Sequence, residues 1–180
     1  MERSLVMVAM FAALIAALGL IPPVMMGFGV PITAQSMGLM LAGTVLGARN
    51  GGLAALLFLA LVALGLPLLA GGRGGLGVFA SPTMGFALGF PVAAFVTGWV
   101  MERMRTLPVF PAALLASLLG SVVVLYIPGV LGLSAMLGKS PVEALLLVAA
   151  FIPGDLAKAV IASALTVMLA QARPDALATR

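Results

Sequence analysis

Long apolar runs, separated by breaks rich in proline and glycine, are the feature that most restricts how this chain can fold. Several runs approach or exceed the roughly 17–20 residues that a helix needs to cross a bilayer. Of the 180 residues, 63% are hydrophobic and only 8% are charged, whereas soluble domains are about half apolar and about a quarter charged. The sequence shows no short alternating segments typical of a membrane β-barrel. We therefore predict an all-α integral membrane protein.

The breaks divide the chain into six predicted transmembrane helices and one shorter helix, all in a single domain over residues 1–180. The predicted spans cover about residues 4–20, 34–48, 53–66, 84–101, 111–126 and 155–172. The stretch Arg49-Asn50-Gly51-Gly52 predicts a tight turn, and Pro128-Gly129 predicts the end of the fifth span. A flexible tail is expected at about 173–180.

The shorter helix is predicted at about 142–152, before the last span. Ser140 has the character of an N-cap, Pro141 suits the first helical position, and Glu143 supplies an acid in the first turn. The segment is too short to cross a bilayer. We therefore expect it to re-enter the membrane or to cap the bundle.

Most basic residues fall on one side of the predicted bundle. If the N-terminus is cytoplasmic, the cytoplasmic segments contain Arg3, Arg49, Arg103, Arg105, Arg173 and Arg180. Only Arg73 and Lys139 then lie in outer loops. Because cytoplasmic loops are enriched in Lys and Arg, we predict a multi-pass protein of the cell membrane with both termini in the cytoplasm. The net charge of +4 thus indicates membrane orientation and not nucleic-acid binding.

Composition argues against an enzyme. The chain contains no cysteine and no histidine, which removes thiolate catalysis, disulfides and the commonest metal ligand. Asp155 is the only acid expected at membrane depth, so paired carboxylates for acid–base catalysis are missing from the predicted spans. We predict no cofactor and no metal.

One pair of opposite charges lies in the apolar stretch FIPGDLAKAV, residues 151–160. Asp155 and Lys158 are three residues apart, which places them on one face of a helix. Charged side chains at membrane depth are costly and usually face a cavity or the bundle interior. The Pro153-Gly154 break leaves free amides at the start of the last span, and such amides attract anionic groups. We interpret the pair as part of a binding site; the alternative is an internal ion pair that only fixes helix packing.

Polar side chains elsewhere in apolar surroundings are further candidate ligand contacts. Gln35 and Thr33, in GVPITAQSMG, can exchange hydrogen bonds with a ligand, although Thr33 is equally suited to cap the second helix. Tyr126 lies near a span end, where it either anchors the helix at the membrane interface or borders the pocket.

The glycine-rich loop AGGRGGLGVFASPTMGF, residues 70–86, superficially resembles a phosphate-binding loop. It has no Gly-Lys-Ser/Thr ending and no preceding strand, so we reject that interpretation. Its glycines instead allow the backbone to pack closely over a ligand. Phe79, Ser81 and Thr83 are the candidate contacts in this loop.

The first predicted helix carries small residues at every fourth position. Ala9, Ala13 and Ala17 form a face that lets another transmembrane helix approach closely. That second helix is either another span of this chain or part of a separate membrane subunit.

Taken together, these motifs resemble one family. The sequence is similar to BioY proteins, from about Ala9 to Leu169, in the order and approximate spacing of GVPITAQ, LAGTVLGARNG, GLPLLAGGRGGLGVFASPTMGF, YIPG and FIPGDLAK. BioY proteins are the biotin-specific substrate-binding components, or S components, of energy-coupling factor transporters. The chain departs from the family pattern at Met84-Gly85-Phe86, where Gly-Gly-Tyr is usual.

The resemblance implies a six-helix fold with an outward-facing vitamin pocket, biotin as the substrate, and Asp155 and Lys158 in the site. It also implies that the small-residue face of the first helix contacts a transmembrane coupling subunit. The sequence has no ATP-binding motif, so ATP-driven uptake would require separate ATPase subunits. Transport by this chain alone and homo-oligomerisation are left open.

The chemistry of biotin agrees with these residue types. Asp155, together with Gln35, can accept from the ureido N–H groups, and Lys158 can pair with the carboxylate at the other end. It is equally open that Lys158 mainly holds Asp155 charged. The alternative function is a proton-coupled secondary transporter of a small anionic vitamin, in which Asp155 relays the proton.

Overall fold

The structure, a computed structural model, describes residues 2–25, 30–173 and 177–179 and is helical over most of them. The helices are α1 (Glu2–Leu18), α2 (Gln35–Ala63), α3 (Met84–Arg103), α4 (Val109–Leu118), α5 (Leu125–Leu137), α6 (Pro141–Ala149) and α7 (Ile152–Ala172). A short antiparallel ribbon, β1 (Val24–Met25) and β2 (Pro31–Ile32), precedes α2, and a 3-10 helix (Leu76–Ala80) precedes α3. The predicted all-helical fold is confirmed.

Four helices in the described ranges are long and apolar enough to cross a membrane. They are Gln35–Ala63, Met84–Arg103, Val109–Leu137 and Ile152–Ala172. Helix α1 has 17 residues, which is at the lower limit for a span. The chain thus has the helices of a multi-pass membrane protein.

Helix α2 reverses direction at Gly47 and forms a hairpin of two arms, residues 35–46 and 48–63. Gly47 has φ +81°, a conformation that glycine adopts without steric cost. An ideal Cβ on Gly51 would lie 2.9 Å from the carbonyl oxygen of Ala42, although a straight helix would separate the two residues by about 13 Å. The predicted turn at 49–52 is therefore wrong, since the reversal occurs at Gly47 and residues 49–52 are helical.

Glu102 stabilises this reversal from the end of α3. Its Oε1 accepts a hydrogen bond from the Ala48 amide at 2.9 Å, the first amide of the second arm. A carboxylate at a helix N-terminus satisfies a free amide and interacts favourably with the helix dipole. This contact between α3 and α2 helps to explain why the chain turns at Gly47 and not after Asn50.

The fifth predicted span continues beyond Pro128. Helix α4, a π-helical stretch (Leu119–Val124) and α5 follow one another without a break, and Pro128 lies inside α5. Proline is tolerated within membrane helices because neighbouring helices and π-helical turns satisfy the freed backbone groups. Gly85 of α3 also packs directly on the Pro128 carbonyl. The predicted end at Pro128-Gly129 is therefore wrong, and the helix ends at Leu137.

The described residues near both termini lie at the Gly47 end of the bundle. At the N-terminus, the Ser4 hydroxyl donates to Asn50 Oδ1 at 3.2 Å. Glu102, at the end of α3, lies at the same end of the bundle. The opposite end contains the ribbon, the beginning of α2 and the loop that leads into α3.

The described part of the C-terminal tail packs against the first arm of α2. The Ala178 amide donates to the Val45 carbonyl at 2.9 Å, and the Thr179 hydroxyl donates to the Thr44 carbonyl at 2.8 Å. Leu177 is buried. Residues 177–179 thus satisfy carbonyl groups that a helix leaves free at its C-terminal end. The flexibility expected for about 173–180 stays a prediction.

Helix α6 begins as the sequence predicts. The Ser140 hydroxyl accepts from the Glu143 amide at 3.3 Å, and the Glu143 carboxylate accepts from the Ser140 amide at 2.8 Å. This reciprocal pair is a capping box. Helix α6 has nine residues and packs on α5 and the start of α7 through Leu133, Val148 and Phe151.

We expect Gly47→Ala to destabilise the protein. A side chain at this position would have to adopt φ +81° and ψ −179°, a conformation almost restricted to glycine that costs about 1–3 kcal/mol, and its Cβ would also collide with the Glu102 carboxylate. The free energy of unfolding in detergent, measured by denaturant titration, checks this. Gly77→Ala is the control, because nothing lies within 4 Å of an added Cβ there. Equal stability of the two variants would contradict the hairpin geometry.

Candidate functional site

A cavity opens at the end of the bundle opposite to Gly47. It is lined by β2 and the first turn of α2, by the loop between α2 and α3, and by parts of α3, α5 and α7. Elements that are distant in sequence therefore converge on one cavity.

Asp155 and Lys158 form an ion pair on the wall of this cavity. Lys158 Nζ lies 2.8 Å from Asp155 Oδ1. The Lys158 side chain is 16% exposed and the Asp155 side chain is 8% exposed. Both residues line the cavity. Mutual contact offsets part of the cost of removing the two charges from water. The pair lies within the first two turns of α7.

Two hydroxyl groups also donate hydrogen bonds to the Asp155 carboxylate. The Tyr126 hydroxyl of α5 donates to Asp155 Oδ2 at 2.7 Å. The Ser36 hydroxyl of α2 donates to Asp155 Oδ1 at 3.4 Å and accepts from Lys158 Nζ at 3.1 Å. One carboxylate therefore joins α2, α5 and α7.

Aromatic rings form the apolar side of the cavity. Phe86 packs edge-on against Tyr126, with ring centroids 6.4 Å apart, and against Phe151, with centroids 6.0 Å apart. Edge-to-face pairs of this kind are favourable arrangements of aromatic rings. Phe90 and Leu125 extend the apolar wall.

Arg73 brings a second cation to the cavity from the glycine-rich loop. Its Nε donates to the Ala70 carbonyl at 3.3 Å, and its Nη1 donates to the Thr83 hydroxyl at 3.2 Å. Partial burial lowers the pKa of the Arg73 guanidinium from its ordinary value, although arginine stays protonated in proteins. The cavity is thus lined by one acid and two bases.

Gln35 lines the cavity, but its amide is largely committed to the backbone. Its Nε2 donates to the Ile15 carbonyl at 3.2 Å and to the Leu68 carbonyl at 3.0 Å. Its Oε1 accepts from the Ala70 amide at 3.0 Å. A glutamine amide has two donors and two acceptor lone pairs, so only one acceptor site is left for a ligand.

The other predicted site residues divide into two groups. Thr33 and Thr83 line the cavity. Phe79 and Ser81 are not among the residues that line it, and Phe79 packs against the apolar core of the bundle instead. The Ser81 hydroxyl bonds to the Val78 carbonyl at 2.6 Å and to the Thr83 hydroxyl at 2.8 Å. The alternative role of Thr33 as N-cap is not observed, because the cap position of α2 is Ala34.

Several residues of the cavity were not predicted from the sequence. Ser36 follows Gln35 directly, and Arg73 is the lone cation of a glycine-rich loop, so each carried a weak signal. Phe86, Phe90 and Phe151 had no signal that separates them from ordinary core residues. Their role depends on how α3 and α7 pack.

The small-residue face of α1 is exposed in the part of the chain that the structure describes. Ala9, Ala13 and Ala17 are exposed, whereas Val8, Ala12 and Ile15 pack inward on the bundle. Intramolecular packing of the Ala9–Ala17 face, one of the two predicted uses, is therefore not observed.

Comparison with known proteins gives a consistent result. The model of the BioY family matches residues 2–175 of the chain. A Rhodobacter capsulatus protein named "Biotin transporter BioY" is 50% identical over the full length of both chains. A Rhizobium etli protein of the same name is 51% identical, over 91% of this chain and 90% of that relative.

A solved structure has a similar fold. The crystal structure described as the S-component for biotin from an ECF-type ABC transporter superposes with a TM-score of 0.89. It is 32% identical in sequence, and the match covers 94% of this chain and 92% of that chain.

We expect Lys158→Met to destabilise the protein by roughly 3 kcal/mol, because it leaves the Asp155 carboxylate buried without its cation. The double variant Asp155→Asn/Lys158→Met should recover much of this loss, since no net charge then remains unpaired. Denaturant titration in detergent measures both. Lys139→Met, at an exposed loop lysine, is the control. If Lys158→Met were as stable as this control, the ion pair would be solvated and not buried.

Proposed function

The chain belongs to the BioY family, and we propose that it is the biotin-capture subunit of a vitamin uptake transporter. In this proposal it binds biotin in the cavity and delivers it to the cytoplasm with the help of partner subunits. The observation that carries the proposal is the largely buried ion pair of Asp155 and Lys158, which lines a cavity whose other walls are mainly apolar and aromatic. The names of the relatives and of the solved structure supply the ligand, biotin.

The cavity matches the chemistry of biotin. Biotin has an apolar thioether ring and alkyl tail, a ureido group with two N–H donors, and a carboxylate. Phe86, Phe90 and Phe151 offer apolar surface to the ring and tail. Thr33, Thr83 and the polar groups around Asp155 offer the hydrogen bonds.

The ion pair keeps some capacity for a ligand. A carboxylate has about four acceptor sites, and Asp155 uses three of them, for Tyr126, Ser36 and Lys158. The Lys158 ammonium has three donors and uses two, for Asp155 and Ser36. One ureido N–H and one anionic oxygen can therefore still bind here.

The direct contact between Asp155 and Lys158 argues against the hypothesis that the two side chains bind opposite ends of biotin. At 2.8 Å they belong to the same polar end of the cavity. Arg73 supplies a cation from a different element. We infer that the biotin carboxylate pairs with one of these two cations, Lys158 or Arg73.

In the membrane we infer six crossings. They are α1, the two arms of α2, α3, the continuous helix Val109–Leu137, and α7. The reversal of α2 at Gly47 supports the separate count of its two arms. Helix α6 would then cap the bundle beside the cavity.

We infer that the cavity opens to the outside and that both termini are cytoplasmic. Arg3, Arg49 and Arg103 belong to the Gly47 end of the bundle, where Ser4 contacts Asn50 and Glu102 contacts Ala48. Arg73 lies at the cavity end. This distribution follows the positive-inside rule.

We infer that the exposed face of Ala9, Ala13 and Ala17 contacts a transmembrane coupling subunit. Small residues at this spacing allow close approach of a helix, and the face has no intramolecular use in the structure. The chain has no nucleotide-binding motif of its own. ATPase subunits would therefore supply the energy for reorientation and release.

We expect the purified protein to bind biotin, and Asp155→Ala and Lys158→Ala each to weaken binding by at least about tenfold. Each variant removes a charge-assisted hydrogen bond, which contributes roughly 1.5–3 kcal/mol. Isothermal titration calorimetry in detergent measures the affinities. Glu143→Gln, which changes an exposed acid on α6, should bind as the wild type does. Unchanged affinity in both cavity variants would remove the proposed site.

We expect Ala13→Leu to abolish co-purification with the coupling subunit, because a larger side chain prevents close helix approach, while biotin affinity stays unchanged. Ala157→Leu, at an exposed alanine of α7, is the matched control and should co-purify normally. Normal assembly of Ala13→Leu would show that this face is not the interface. Biotin uptake by vesicles that contain only this chain, without ATP, would instead favour the proton-coupled alternative.

A further inference from the structure

The Gln35 side chain connects three separate pieces of backbone. Its two N–H donors reach the Ile15 carbonyl of α1 and the Leu68 carbonyl of the loop between α2 and α3. Its carbonyl accepts from the Ala70 amide of the same loop. We call these three hydrogen bonds the Gln35 bridge. Gln35 is 1% exposed, and its bonds to the Ile15 carbonyl and the Ala70 amide are buried.

The α1 end of the bridge uses a group that the helix itself leaves free. Ile15 is among the last four residues of α1, whose carbonyls have no partner further along the helix. The Gly19 amide bonds to the Ala16 carbonyl at 2.9 Å, which tightens the last turn. The Ile15 carbonyl is thus satisfied by Gln35, and a buried carbonyl without such a partner is costly.

The loop end of the bridge holds the wall of the cavity. Leu68 and Ala70 flank Leu69, which lines the cavity. The Leu69 amide bonds to the Arg73 carbonyl at 3.0 Å, and Arg73 Nε bonds back to the Ala70 carbonyl. The segment from Leu68 to Arg73 is therefore one hydrogen-bonded turn, and Gln35 fixes its position.

The same turn is also the wall of a second groove on the side of α1. Ala17, Leu20 and Leu68 line this groove, together with Leu69, which lines the cavity as well. Ala17 belongs to the exposed small-residue face. One thin turn thus separates the end of α1 from the cavity.

Gly19 allows this close approach. An ideal Cβ on Gly19 would lie 2.6 Å from the Leu68 carbonyl oxygen and 2.8 Å from Gln35 Nε2. Both distances are too short for a real contact, so a methyl group would push the bridge apart. Gly19 is not among the residues that line the cavity.

We propose that Gln35 is a positioning residue, whose bridge ties the cavity wall to the end of α1 so that displacement of α1 loosens the hold on biotin. The proposal rests on the proposed function for its ligand, but the bridge itself is a property of the ligand-free protein. It gives α1 a direct connection to the turn that carries Arg73. Direct contact of Gln35 with biotin, by contrast, would require no link to α1.

Two variants test the bridge from its two sides. Gln35→Leu removes all three hydrogen bonds, and Gly19→Ala displaces the junction from outside the cavity. In the ligand-free protein, we expect hydrogen–deuterium exchange of the Ala70 amide to accelerate at least about tenfold in both. For biotin, we expect the dissociation rate to rise at least about tenfold in both. Ser163→Ala, which removes a hydroxyl bonded within α7, is the control and should change neither rate.

The outcomes separate the possible roles of Gln35. Faster exchange at Ala70 and faster biotin dissociation in Gly19→Ala support the bridge even if Gln35→Leu fails to fold, because Gly19 does not line the cavity. Unchanged exchange in both variants overturns the proposal. Faster dissociation in Gln35→Leu alone, with Gly19→Ala behaving as wild type, also overturns it and indicates direct contact with biotin. If exchange accelerates but the wild-type protein binds no biotin, the proposed function fails and the bridge stands.

Discussion

The buried contact between the Asp155 carboxylate and the Lys158 ammonium determines how the helices pack at the cavity end of the bundle. In a chain with so few charges, an acid at membrane depth needs several partners, because neither lipid nor apolar side chains can replace water. Ser36 of α2 and Tyr126 of α5 provide them together with the lysine. The carboxylate thereby draws three helices around one space, and the aromatic residues close that space from the other sides.

The fold class and most helices could be predicted from the sequence. Two predicted boundaries were wrong, and both for the same reason. Turn residues at 49–52 and Pro128-Gly129 were interpreted from local preference. In the structure, Glu102 caps the second arm at Ala48, and Gly85 packs on the Pro128 carbonyl. Both are contacts between distant segments, which local patterns do not contain. The start of α6, by contrast, depends on residues 140–143 alone, and its N-cap Ser140, its first-position Pro141 and its first-turn acid Glu143 were predicted correctly.

The candidate site was predictable where its residues are chemically unusual for their surroundings. Asp155 and Lys158 stand out because charged residues are rare in so apolar a stretch, and the structure brings both to the cavity. The phenylalanines of the wall are ordinary in an apolar chain, so nothing local separated them from the core. Gln35 was found as a polar residue in an apolar setting. Its three backbone partners were not predictable, because they come from α1 and a distant loop.

The C-terminal segment that packs on α2 has a consequence for the order of biosynthesis. Thr179 bonds to the carbonyl of Thr44, which precedes it by 135 positions. Membrane proteins are made from the N-terminus onward, so the first arm of α2 is in place long before its partner leaves the ribosome. That end of the hairpin therefore lacks its partners for these carbonyl groups until residues 177–179 are made. The Gly47 end of the bundle is thus completed by a segment that is made after all seven of the described α-helices.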